Sequence, residues 1–176
     1  MHYKEFDFRS EPLRFLCTAT ENAIIELVTL TNPPVNLDVI TAMEIAEYQY
    51  GAVYVAWQAY AVGTVSDINE IRLSLGKDKR GKLDLYKQKQ TVSEGPTSVE
   101  LINALANYFK HHEEWSAWPS NHTTDTLRCF GINEKTEFPL SHGVEVLVGD
   151  NKELRKVCEI LQGWRSSLIS EFNENA

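Results

Sequence analysis

Cysteine is scarce in this chain: three in 176 residues, Cys17, Cys129 and Cys158, odd in number and far apart. That usage excludes a disulfide framework and a CxxC metal site, and it predicts reduced thiols buried inside helices as small hydrophobes. Glycine and proline are also sparse, 9 and 6 respectively. They are too few for the dense turns of a many-stranded sandwich or barrel, so helices are expected. No apolar run approaches the ~18 residues of a membrane span. The opening MHYKEFDFRSEP has no basic stretch followed by an apolar one, and a cytoplasmic, membrane-free protein is the expectation. Missing too are GxxxxGK[ST], GxGxxG after a strand, GxSxG and HExxH, which removes the common phosphate-, dinucleotide-, acyl- and zinc-dependent motif classes. No cofactor is expected.

What is present is ordinary globular material, 43% apolar and 24% charged, sufficient for one domain over residues 1–176. The net charge of −8 argues against a surface that coats nucleic acid throughout. Its distribution is uneven. Residues 77–89 hold six basic residues, Lys77, Lys79, Arg80, Lys82, Lys87 and Lys89, against two aspartates, a local net of +4. They lie in the longest connection of the chain, 76–96, a length usually reserved for function or mobility.

Hydrophobic spacing predicts an all-α bundle with four main helices. The first covers about 11–31, with Ser10 as N-cap and Asn32-Pro33-Pro34 as its stop. The second covers about 38–75, with a bend expected near Gly63, and its Tyr50–Val62 stretch is apolar nearly all round. Such a helix lies in the middle of a bundle or is shared with a partner chain, and a homodimer through this helix is expected. The third, 98–114, opens on a Thr97/Glu100 capping box, and the fourth, 151–172, is capped by Asp150. A short helix at 124–130, capped by Thr123 or Thr124, and at most a minor strand at 144–148 complete the reading.

Chemistry concentrates at the end of the third main helix. Asn103, Asn107 and His111 fall at i, i+4 and i+8 on one face, flanked by Lys110 and Glu114. The plain reading is a solvated helix end whose histidines are favoured by the dipole. A functional reading uses the imidazole of His111 to move protons near neutral pH. His111 and Glu114, with His122, Asp125 or Cys129, are metal-ligand types, but no paired Glu-x-x-His motif accompanies them and no metal is expected. The four aromatics Tyr50, Tyr54, Trp57 and Tyr60 stand at helical spacing among aliphatics and read as core.

Asn107 and His111, near a helix end in an all-α chain of this size, resemble the motif of the HEPN superfamily, which places a polar residue and then a histidine after an arginine. Ala106 stands where that motif has the arginine. The resemblance implies an all-α bundle, often dimeric, and either a metal-independent ribonuclease or an RNA-binding module of defence and toxin systems. It would make His111 the general acid/base on a ribose 2′-OH and Asn107 its orienting group. Lys110 and the 77–89 connection would then hold phosphates. The other expectation is a non-enzymatic, self-associating helical interaction protein, motivated by the apolar second helix and the replaced arginine, with a protein partner as a further option.

Overall fold

The computed structural model describes residues 7–88 and 95–173, and every regular element in them is helical. Four long helices carry the frame: α1 (Ser10–Leu30), α2 (Val39–Ser74), α4 (Ser98–His111) and α7 (Leu154–Asn173). Three shorter ones fill it: α3 (Lys82–Tyr86), α5 (His122–Cys129) and α6 (Pro139–Val148), with a 3-10 turn at His112–Glu114 after α4.

Helix α2 is the central post. Tyr50, Val53, Tyr54, Trp57, Tyr60, Ala61 and Ile68 are buried by α1, α4, α6 and α7. Most of the apolar run Tyr50–Val62 is thus covered by its own chain, with Ala52, Ala59 and Val62 left exposed. Helix α4 is buried on every side from Val99 to Ala106 and crosses α2 at close range. Gly51 permits this, because a Cβ there would stand 2.1 Å from Phe109 Cδ2. Gly143 does the same for α6, where a Cβ would meet Leu105 Cδ1 at 2.3 Å.

Local expectations need correction at α6 and at the starts of α1 and α7, the last of which begins at Leu154 rather than at 151 behind an Asp150 cap. Residues 144–148 form no strand; they are the last turns of α6. Pro139 occupies the first turn, and the carboxylate of Glu47, on α2, accepts from Leu140 N at 2.9 Å and Ser141 N at 2.6 Å. The cap of α6 therefore comes from a distant helix, so the local sequence does not show it. Helix α2 is continuous through Gly63, and that residue leaves room for the Arg9 side chain, whose Nε would lie 2.5 Å from a Cβ. Helix α1 takes Arg9 rather than Ser10 as its N-cap residue, and Ser10 Oγ donates to Asp7 O at 3.0 Å.

One charged cluster ties the chain start to α2 and α7. Arg165, 3% exposed, donates to Asp67 Oδ2 at 2.7 Å, and Arg9 donates to both oxygens of the same carboxylate at 2.6 and 3.1 Å. Tyr60 donates to Asp7 beside it, and Asp7 lies 4.0 Å from Arg165 Nε.

Candidate functional site

The polar ridge of α4 is an inter-helix network for most of its length. Gln58 on α2, itself buried, donates from Nε2 to Asn103 Oδ1 at 2.9 Å and to Asn107 Oδ1 at 3.0 Å. Its Oε1 accepts from Lys110 Nζ at 2.8 Å. One amide therefore holds two side-chain oxygens and an ammonium, which satisfies polar groups placed between two packed helices. His111 stands apart from this network, half-exposed, with Nδ1 3.4 Å from the Glu114 carboxylate. His112 turns inward: its Nδ1 lies 3.1 Å from Tyr108 O, so that nitrogen carries the proton, and its ring stacks on Tyr108 at 4.6 Å. Trp115 and Trp118 close over Tyr108, with centroids 5.7 and 5.9 Å away. The structure joins Asn107 and Lys110 through Gln58, a partner that spacing cannot show, and leaves His111 outside that network.

The basic connection lies elsewhere. Thr97, at the start of α4, donates to Tyr86 O at 2.8 Å and anchors α3 there, whereas His111 ends the same helix. At 1.5 Å per residue the 14-residue α4 puts them ~20 Å apart. Lys77, Lys79, Lys82 and Lys87 are exposed, Lys82 Nζ lying 5.8 Å from the Tyr86 ring centre. Arg80 is pinned by a reciprocal pair with Asn69, donating from its backbone N at 2.8 Å and accepting at 3.1 Å, and its guanidinium donates to Gln88. Lys89 lies outside the described residues. The histidine and the basic cluster, among the described residues, stand at opposite ends of α4. Among the described residues no three His, Cys, Asp or Glu side chains converge to hold a metal, and no helix is long and apolar enough to cross a membrane.

Sequence reasoning missed a groove at the connected end of the α1–α2 hairpin, beside the 31–38 turn. Beyond Thr20 no residue of α1 is fully buried, although Ile24, Leu27 and Val28 continue its apolar stripe. Across from them on α2 stand Val39, Ala42, Met43, Ala46 and Tyr50, and the space between has a volume of about 360 Å³. That falls within the ~300–1,000 Å³ of small-molecule clefts. The walls are apolar apart from Thr31, Ser141, Lys152 and the Tyr50 hydroxyl. A stripe longer than its covering core was the signal available in the sequence. Behind the groove, burial raises the pKa of Glu47 above the usual glutamate value, against the hydrogen bonds from Leu140 and Ser141 and the charge of Lys152.

No protein-family model, curated protein or solved structure matches the chain.

Proposed function

We propose that this chain is a non-catalytic helical binding module, of the HEPN-like kind its α4 motif resembles, and that its working surface is the connected end of the α1–α2 hairpin. The observation that carries this reading is the groove. The apolar stripes of α1 and α2 continue past the buried core here and line a cavity between the two helices. The non-catalytic reading is supported over the ribonuclease one by the engagement of Asn107 and Lys110 with Gln58, by Ala106 at the arginine position, and by the separation of His111 from the basic connection.

The direct test uses Nile red, a neutral apolar reporter, on the full chain. Its emission is expected to rise and shift blue with the wild type and to do neither with Met43→Lys, a change at a solvent-accessible position of the groove wall. An unchanged response in Met43→Lys, or none in the wild type, overturns the reading. A parallel assay on single-stranded RNA is expected to show no cleavage; cleavage abolished by His111→Ala would establish the ribonuclease instead.

Self-association has its own observation. Val35 is 59% exposed and Ile40 49%, both outside the groove on the same end of the hairpin. Light scattering at micromolar concentration is expected to give a dimer that Ile40→Asp dissociates; a strict monomer removes this second reading.

A further inference from the structure

We propose that the α1–α2 groove binds a small amphipathic monocarboxylate, its apolar body between the helices and its carboxylate against Lys152 and Tyr50. The proposal rests on the binding-module reading and assigns the class of ligand.

Two polar groups among apolar walls carry it. Tyr50 is 4% exposed and lines both the groove and the polar mouth that adjoins it, yet its hydroxyl makes no hydrogen bond among the described residues. Its oxygen is not fully enclosed but reaches solvent through the mouth, and a ligand acceptor would take the place of water there. Burial, with the Glu47 and Glu21 carboxylates adding to it, pushes Tyr50 up to about 12, so it stays a donor at neutral pH. Lys152, half-buried at the same junction, donates to Ser141 Oγ at 2.7 Å and forms no ion pair among the described residues.

The neighbouring carboxylates are already engaged. Glu47 caps α6 through Leu140 N and Ser141 N. Glu21 accepts from Arg155 N at 3.3 Å and lies 3.8 Å from its guanidinium, and Glu153 pairs with Lys156 at 3.2 Å. Asp150 faces solvent in the mouth. Lys152 hydrogen-bonds only a neutral hydroxyl, and the Glu47 carboxylate whose charge it feels is already held by the α6 amides; beside a phenol with no protein acceptor, this ammonium is complementary to an anionic oxygen rather than to a second cation. The groove walls supply the rest of the recognition: Leu27, Val28, Val39, Ala42 and Met43 offer an apolar slot for an aliphatic or aromatic body.

The test is isothermal titration of the full chain with decanoate, decanol and decylammonium, each below its micelle concentration at neutral pH. Decanoate is expected to bind, and the other two about tenfold or more weakly, since a charge-assisted pair contributes roughly 1.5–3 kcal/mol. Lys152→Met and Tyr50→Phe are each expected to weaken decanoate about fivefold or more while leaving decanol unchanged, which separates loss of the head-group contact from misfolding. Equal binding of the three heads overturns the carboxylate assignment and leaves the binding-module reading standing. No binding of any of them, with Nile red also unresponsive, overturns both. A decanoate signal insensitive to both variants, or a dimer that covers the groove and excludes all three probes, also overturns the proposal.

Discussion

Gly51 and the three cysteines show how single atoms set tolerance in this bundle. At Gly51 an added methyl would sit 2.1 Å from the Phe109 ring, a side chain packed edge-on against Tyr48. Alanine improves helix propensity by about 1 kcal/mol, but overpacking a fixed aromatic costs roughly 1–3 kcal/mol, so Gly51→Ala is expected to lower the urea midpoint. An unchanged midpoint would mean that Phe109 moves freely. The thiols divide differently from their sequence expectation. Cys129 is exposed, whereas Cys17 and Cys158 are fully buried with their sulfurs 3.3 Å apart, and Trp57 Nε1 donates to Cys17 Sγ. The hydrogen bond with Cys158, then burial, pushes the Cys17 thiol far above its usual range, which suppresses the thiolate needed for reaction. A disulfide reagent is therefore expected to titrate Cys129 rapidly in the native protein and the other two only after denaturation. Rapid reaction of all three would contradict the packing of α1 on α7.

The elements differ in how far they can be read from their own residues, and α4 is the clearest. Thr97 accepts from Glu100 N at 3.1 Å while Glu100 accepts from Thr97 N at 2.8 Å, the reciprocal box its spacing announces. Thr97 also donates to Tyr86 O, a bond no spacing reveals. Thr97→Ala removes both, and the expected loss is about 1–2 kcal/mol, a fall of roughly 2–8 °C in melting temperature for a chain of this size. A melting point within a degree of wild type would deny the box any share in stability. Helices α1, α2, α4 and α7 were legible because each keeps a 3.6-residue apolar stripe against the core. Helix α6 was not, because its cap is Glu47 on another helix and its Val144-Glu145-Val146 alternation also fits a strand. Helix α3 was hidden by its five-residue length, although Leu85 and Tyr86 are among its core anchors. At α5, Asn121 rather than either threonine is the cap residue, with Thr124 closing the box as its third residue. The ridge on α4 was legible as a set of polar residues but not as a network, since Gln58 is separated from Asn107 by 49 positions. The groove's polar mouth was not legible for a related reason: Tyr50 and Lys152 line one cavity only through the fold.

For the whole molecule, the cluster around Asp67 decides how the bundle closes and how it responds to acid. Asp67 joins Arg9 ahead of α1 to Arg165 on α7, so protonating one carboxylate loosens three parts of the chain. Burial alone would raise the pKa of Asp67, but the hydrogen bonds and charges of Arg9 and Arg165 outweigh it and hold the group below its ordinary value of 3.8. A carboxylate whose folded pKa is depressed contributes stability that is complete above the unfolded value and lost as pH falls through the folded one. Glu47 has the opposite sign: raised above 4.5 by burial, it contributes stability that is present below that value and lost as pH rises through the folded one. The two groups together should give a stability profile that falls on both sides of the usual carboxylate range, with the acid limb belonging to Asp67. Asp67→Asn keeps the shape but not the charge and leaves the buried Arg165 its ion pair with Asp7 at 4.0 Å among the described residues. The expected cost is roughly 3 kcal/mol at neutral pH, the lower end of what breaking a buried pair costs, because Asp7 and solvent at Arg9 soften it. Urea midpoints measured from about pH 6 down to about pH 2 check the assignment. The wild type should lose stability progressively below the ordinary aspartate range, while Asp67→Asn starts lower and declines less steeply. Parallel acid limbs in the two proteins would move the acid sensitivity to another carboxylate and leave the cluster a packing feature only.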